Sequence, residues 1–140
     1  MKKVLITLIL VTFALFSLVS CSGVEVDEPV EEKLLSFLNA VNDNDLDAVR
    51  DTLGDECEYK YKLYDHLMEI QNEEDINFSK KMSDVTVTDY EKKTCVGYTE
   101  YDIDGYFDLD GARVEFEIDM KGDSEGTFIT DFSFDVEYFD

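Results

Sequence analysis

The apolar positions along the chain change their period once, close to Met82. Before that point they recur every three or four residues, which predicts amphipathic helices, and after it they alternate with polar residues, which predicts strands. Three helices are expected, at residues 30–43, at 45–53 and from about 59 to 71. Asp45 is placed to cap the second helix at its start, because its side chain can accept a hydrogen bond from the first turn.

Four strands are predicted, and the faces that they bury indicate how they pair. They cover about 83–90, 94–108, 112–121 and 127–139. Strand two buries odd-numbered positions and strand three even-numbered ones, so a two-residue turn of type I′ at Asp110-Gly111 fits both. Strands three and four both bury even-numbered positions, and a three-residue loop at 123–125 is therefore expected. This pattern directs Cys95 of strand two and Phe128 of strand four toward the core.

Helices followed by an antiparallel sheet define an α+β domain over residues 30–140. Residues 31–53, EEKLLSFLNAVNDNDLDAVRDTL, combine an apolar helix, an acidic Asn/Asp break and a short second helix. This arrangement resembles the nuclear-transport-factor-2-like (NTF2-like) fold. The resemblance implies N-terminal helices packed on a curved four-stranded antiparallel sheet, in a cone-shaped domain that encloses a pocket. A cystatin-like arrangement of a helix on a sheet is the alternative.

The first 20 residues have the pattern of an export signal rather than of a folded element. Lys2 and Lys3 precede an apolar run over 4–18, and Leu18-Val19-Ser20-Cys21 follows. A run of about 15 apolar residues is shorter than the roughly 20 needed to span a bilayer, which disfavours an uncleaved membrane helix. The segment resembles the lipobox signal peptide of bacterial lipoproteins.

That resemblance implies that residues 1–20 are removed and that the sulfur of Cys21 carries a diacylglyceryl group. A short tether over 21–29 then holds the domain at the extracytoplasmic face of a cell membrane. Two or three acyl chains, palmitate among them, give stable anchoring. Inner and outer membrane both stay open, and so does an ordinary secreted form.

The charge excludes one class of partner, and the cysteine count suggests a covalent feature. Twelve basic and 34 acidic residues give a net charge of −22, which would repel a nucleic acid. If Cys21 is lipidated, two cysteines remain, Cys57 and Cys95. Outside the cytoplasm two such thiols predict a possible disulfide. A pair of unpaired core cysteines is the alternative.

The predicted register places outward-facing carboxylates side by side on the sheet. Asp104, Glu117 and Asp131 form one predicted row, and Asp102 and Asp119 belong to the next. The full set consists of Asp102, Asp104, Glu115, Glu117, Asp119 and Asp131. Three interpretations stand: a solvated acidic face, a cation site suited to Ca²⁺ because all its ligands are oxygens, or a docking face for a basic partner.

The sequence contains no pattern that indicates catalysis. His66 is the only histidine, and there is no nucleophile motif, metal-type His/Cys cluster or phosphate-binding glycine loop. We therefore expect a membrane-anchored lipoprotein whose domain binds a small-molecule ligand or a partner without catalysis. The alternatives are an acidic, immunity-type protein that neutralises a cationic envelope protein, and a Ca²⁺-binding surface protein.

Overall fold

The computed structural model describes residues 24–139 of the chain. The predicted signal peptide and Cys21, the predicted lipidation site, lie outside this range. Within it, no helix is both long and apolar enough to cross a bilayer. The described residues form three helices followed by four strands, as the change of period predicts.

The helices begin close to the predicted positions. They are α1 (Glu28–Asn42), α2 (Leu46–Thr52) and α3 (Leu63–Glu73). Asp45 caps α2 as expected, since its carboxylate accepts a hydrogen bond of 3.1 Å from the backbone N–H of Ala48. The third helix starts four residues later than predicted, because the residues before Leu63 form turns instead of a first helical turn.

The strands form a single antiparallel sheet in the order β1-β2-β3-β4. They are β1 (Thr86–Thr94), β2 (Thr99–Leu109), β3 (Ala112–Asp123) and β4 (Gly126–Tyr138). Each strand is therefore hydrogen-bonded to the next in sequence, and β1 and β4 are the two edges. The predicted α+β class, with N-terminal helices and a four-stranded antiparallel sheet, is confirmed.

The turn between β2 and β3 has the predicted position but not the predicted type. Leu109 pairs with Ala112, which leaves Asp110-Gly111 as a two-residue connection. Gly111 has a φ of +85°, whereas Asp110 is not among the described residues with positive φ. A type I′ turn needs positive φ at both central positions, and this conformation is unfavourable for a residue with a Cβ atom. The prediction of a type I′ turn is therefore wrong.

The connection between β3 and β4 is shorter than predicted. Asp123 pairs with Gly126, so only two residues form the turn. The additional residue is Thr130, a β-bulge between the pairs Met120–Ile129 and Asp119–Asp131. A bulge inserts one residue into one strand and so changes the parity as a longer loop would. As a result Ile129 is buried in place of Phe128, which was predicted to face the core.

The turn between β1 and β2 replaces what was predicted as the start of a strand. Thr94 pairs with Thr99, and the chain reverses through Cys95-Val96-Gly97-Tyr98. Gly97 has a φ of +86°, and the backbone N–H of Cys95 donates to the carbonyl of Tyr98 at 2.9 Å. Cys95 therefore lies in a turn and not on the inner face of β2.

Cys57 and Cys95 are both free thiols in the structure. Cys57 is buried in the segment between α2 and α3, and burial raises the pKa of its thiol. Cys95 is half-buried in the β1–β2 turn. The predicted disulfide is not formed.

Aromatic rings fill the space between the helices and the inner side of the sheet. Phe37 of α1 contacts Phe132 and Phe134, with ring centroids 5.0 and 6.1 Å apart. Phe134 also contacts Phe78 at 5.2 Å and Phe107 at 6.5 Å. These contacts place a cluster of large aromatic rings in the interior, between the helices and the sheet.

Candidate functional site on the outer side of the sheet

The outward side chains of the four strands form one acidic surface. One row crosses the whole sheet, because Glu91 pairs with Asp102, Asp102 with Asp119, and Asp119 with Asp131. In the neighbouring row Asp89 pairs with Asp104, Asp104 with Glu117, and Glu117 with Ser133. We call the seven carboxylates of these rows the acidic face: Asp89, Glu91, Asp102, Asp104, Glu117, Asp119 and Asp131.

The structure places all six predicted residues on this side of the sheet but corrects one of the rows. Ser133, and not Asp131, lies opposite Glu117, because the shorter turn and the bulge together shift β4 by two residues from the predicted register. Asp131 moves next to Asp119 and completes the row of four carboxylates. Glu115 lies one row beyond the acidic face, opposite Tyr106 and Asp135.

Sequence reasoning missed Asp89 and Glu91. The predicted second strand includes residues 94–98. For this reason no register was predicted between the first and second strands, and the outward residues of β1 had no predicted partners. The sequence contains a signal for the turn between these strands. The uncharged run Thr94–Thr99 contains a glycine and separates two segments in which apolar and polar residues alternate. Such a glycine within an apparent strand is typical of a turn or a bulge.

Crowding of like charges changes the acidity of two carboxyl groups in the centre of the face. Partial desolvation by surrounding side chains, together with the charge and hydrogen bond of Asp102, raises the pKa of Asp119 to about 6. Partial burial, followed by the charges of Asp102 and Glu117, raises the pKa of Asp104 as well. Ionisation of these groups therefore costs the folded protein free energy at neutral pH.

Two cations on this side of the sheet, Arg113 and Lys121, are paired with carboxylates outside the acidic face. Arg113 donates to Asp108 at 2.8 Å and lies 3.9 Å from the centre of the Tyr106 ring. Lys121 donates to Glu56 at 2.8 Å. None of the five ion pairs found among residues 24–139 involves a carboxylate of the acidic face. Lys93 lies in the groove with Glu91, Asp102 and Asp119 without such a pair, so one lysine faces a row of four carboxylates, and most of the negative charge is left for a group outside the described residues or for solvent counterions.

Two open grooves lie along this side of the sheet. One, of about 670 Å³, is lined by Glu91, Asp102 and Asp119 together with Lys93 and Lys121. The other, of about 540 Å³, is lined by residues that include Asp104, Glu117 and Ser133. Both are open to solvent along one side, so an extended segment or another surface can lie in them.

A bound metal ion needs several side chains that can hold it together. In the part of the chain that the structure describes, no three His, Cys, Asp or Glu side chains converge closely enough to hold a metal ion. The Ca²⁺ interpretation of the predicted carboxylates stays a prediction.

His66 packs as an aromatic ring on the helical side of the sheet. It stacks on Tyr59 with ring centroids 3.6 Å apart and contacts the edge of Phe132 at 5.4 Å. Its buried Nε2 atom has no hydrogen-bond partner among residues 24–139. Burial lowers the pKa of the imidazole, which favours its neutral form.

Substitution of Asp119 by asparagine is expected to stabilise the protein at neutral pH. The folded-state pKa of about 6 lies above the ordinary value of 3.8, so the folded protein gains stability as the pH falls through this interval. Removing the charge should therefore add roughly 0.5–1 kcal/mol to the free energy of unfolding near pH 7 and weaken this pH dependence. Urea unfolding at several pH values measures both effects. Asp110→Asn in the β2–β3 turn is the control, with an expected change within about 0.5 kcal/mol; a loss of stability in Asp119→Asn contradicts the prediction.

Several solved structures resemble this fold at low sequence identity. The structure of Bdellovibrio bacteriovorus Bd1075 matches with a TM-score of 0.46 and 8% identity over 79% of this chain, which spans 40% of that protein's chain. The β subunit of the benzoate 1,2-dioxygenase from Burkholderia mallei matches with a TM-score of 0.46 and 9% identity, covering 81% of this chain and 93% of the subunit. An LEH-like epoxide hydrolase of M. tuberculosis matches with a TM-score of 0.38 and 16% identity, covering 76% of this chain and 80% of the hydrolase.

The dioxygenase subunit and the epoxide hydrolase have NTF2-like folds, the type of fold that the helix pattern of this chain resembles. No protein-family model matches the sequence, and no curated protein does. At these TM-scores and identities the similarities transfer neither activity nor site residues to this chain.

Proposed function

We propose that this chain is a membrane-anchored lipoprotein of the bacterial cell envelope, and that its extracytoplasmic domain is a non-catalytic module for binding a cationic partner. The partner is a Lys/Arg-rich segment of an envelope protein, and it binds on the acidic face. The observation that carries this proposal is the row formed by Glu91, Asp102, Asp119 and Asp131. The lipobox-like sequence that ends at Cys21 supports the location.

The row of like charges lowers the stability of the folded protein, and this is the reason to assign it a binding partner. Like charges directly opposite each other destabilise a sheet by up to about 1 kcal/mol per pair. A bound lysine or arginine removes this repulsion and lowers the pKa of Asp119 and Asp104 toward ordinary values. The folded protein therefore holds unfavourable electrostatic energy that binding of a cation releases. An acidic surface of this kind also accelerates encounter with a basic protein.

The dimensions of the face fit an extended basic segment. Adjacent strands lie about 4.8 Å apart, so a row of four carboxylates spans roughly 14 Å. Side chains on one face of an extended chain repeat every 6–7 Å or so, and their flexible stems let each ammonium or guanidinium group reach two neighbouring carboxylates. The ring packing on the inner side of the sheet also favours a surface site over an internal pocket.

Neutralising the centre of the row is expected to weaken binding of a short lysine-rich peptide. The double variant Asp102→Asn/Asp119→Asn removes two adjacent charges and should raise the Kd by about tenfold or more. Isothermal titration calorimetry at low and at physiological salt measures the change. The matched control is Asp43→Asn/Asp51→Asn, which removes the same net charge from exposed positions near α1 and α2.

The control separates a binding site from general attraction by a protein of high negative charge. We expect the Asp43→Asn/Asp51→Asn variant to change the Kd by less than about twofold, since removed charges lie far from the bound peptide and are screened by salt. Equal weakening in both double variants, or no peptide binding by the unmodified chain, would overturn the proposal.

A further inference from the structure

The chain joins the domain at a fixed place beside β1. The carboxylate of Asp27 accepts hydrogen bonds from the Tyr90 hydroxyl at 3.0 Å and from the Lys92 ammonium at 2.9 Å. Val24 and Val26, just before it, pack against the core. The segment that precedes α1 is therefore held against the edge strand, close to the end of the sheet that carries the β1–β2 turn.

That turn differs in composition from the two other turns of the sheet. Thr94-Cys95-Val96-Gly97-Tyr98-Thr99, which we call the β1–β2 tip, is uncharged in a protein with 33% charged residues. Val96 at its apex is 100% exposed. Lys92 and Lys93 precede the tip, and the ammonium of Lys121 lies 4.4 Å from the centre of the Tyr98 ring.

The other turns of the sheet differ from the tip. At the opposite end the β2–β3 turn carries Asp110, and the paired Asp108 lies beside it. The β3–β4 turn is at the same end as the tip but contains Glu125 next to Asp123. It lies two strands away, roughly 10 Å, on the side of the sheet remote from Asp27. Only the corner formed by β1 and β2 combines an apolar apex, a tyrosine, flanking lysines and the start of the domain.

We propose that the β1–β2 tip rests on the lipid surface that holds the anchor. This inference depends on the proposed lipidation of Cys21. From Cys21 to Val24 the chain reaches at most about 11 Å. From Lys92 to the end of β1 at Thr94 the strand rises about 7 Å, and Val96 lies half a turn beyond it. The anchor and the tip can therefore reach the same plane.

The side chains of the tip have the chemistry of a membrane interface. Val96 enters the headgroup layer, and the Tyr98 ring lies at the boundary where amphipathic aromatic residues are enriched. Lys93 extends its ammonium group toward lipid phosphates. The strands then point away from the membrane, so that the acidic face is turned sideways and stays open to a partner.

Tryptophan fluorescence tests this orientation, because the chain has no tryptophan of its own. The variants Val96→Trp and Asp110→Trp place one probe at the tip and one in the turn at the opposite end. The lipidated full chain is reconstituted into vesicles of phosphatidylcholine and phosphatidylglycerol with brominated acyl chains. We expect quenching to be at least about twofold stronger for Val96→Trp than for Asp110→Trp, with a blue-shifted emission that reports loss of water.

Chemical labelling of lysines is a second test, carried out on the chain without substitutions. It is needed because an introduced tryptophan itself has affinity for membranes. Lys93 and Lys81 are both exposed. Lys81 lies at the end of the sheet opposite the tip, because the backbone N–H of the nearby Ser83 donates to the backbone carbonyl of Asp108. Vesicle-bound chain treated with an amine-reactive reagent should lose labelling of Lys93 relative to detergent-solubilised chain, and keep labelling of Lys81.

The outcomes distinguish this inference from the function on which it rests. Equal quenching at positions 96 and 110, with unchanged labelling of Lys93 in a chain whose mass shows acylated Cys21, overturns the orientation alone. A chain with no acyl group on Cys21 and no vesicle association overturns the membrane location and the orientation together. Stronger quenching at position 96 with selective protection of Lys93 supports both.

Discussion

Replacing Phe132 by alanine is expected to lower the free energy of unfolding by about 3–5 kcal/mol, the range for a buried phenylalanine whose removal leaves a cavity. The Phe132 side chain is 2% exposed and meets four rings on the inner side of the sheet. These rings belong to Phe37, Tyr59, His66 and Phe134, at centroid distances of 5.0, 5.4, 5.4 and 5.8 Å. They come from both layers of the domain, so none can collapse into the space without losing other contacts.

Urea unfolding followed by far-ultraviolet circular dichroism measures this loss. Phe139→Ala is the control, because its ring is 52% exposed, and a change within about 0.5 kcal/mol is expected. A loss below about 1 kcal/mol in Phe132→Ala would mean that the interior tolerates an empty volume. The internal pocket implied by the NTF2-like resemblance would then regain support over a binding site on the acidic face.

A methyl group at Gly105 is expected to cost more than about 3 kcal/mol, at the upper end of the range for overpacking. A Cβ atom at this position of β2 would lie 2.2 Å from the carbonyl oxygen of Thr86 and 2.6 Å from Cζ of Phe116. The first contact is with backbone, which cannot rotate away as a side chain does. The contact arises beside the irregular pairing between Val87 and Asp89, where β1 approaches β2 closely.

Gly122→Ala is the matched control for Gly105→Ala, since both glycines lie within strands at negative φ. At Gly122 the nearest atoms, at 3.2 to 3.4 Å, belong to the side chains of Tyr101 and Thr127. These side chains can yield by a few tenths of an ångström, so the expected loss is within about 1 kcal/mol. Thermal unfolding of the two variants compares them directly, and equal stability of both would contradict the close approach of β1 to β2.

The hydrophobic pattern was sufficient for several structural choices that depend on neighbouring residues. The spacing of apolar residues by three or four positions predicted α1 and α2. The capping side chain of Asp45 predicted where α2 begins. For β2 and β3, opposite parities and a two-residue Asp-Gly connection left one register, and the pairs Leu109–Ala112 and Asp104–Glu117 confirm it. The outward direction of the six predicted carboxylates follows from the same alternation.

The sequence by itself therefore determined the α+β class, the number of strands and the acidic character of the outer side. The tertiary structure decided which carboxylates are neighbours. One additional residue restores the parity between β3 and β4 whether it lies in the loop or in a bulge, and local alternation is the same in both cases. Only pairing across the sheet selected the bulge at Thr130, and this placed Asp131 beside Asp119 and completed the row of four carboxylates. That row exists because hydrogen bonds between strands, and not the order of residues within one strand, determine which side chains lie opposite each other.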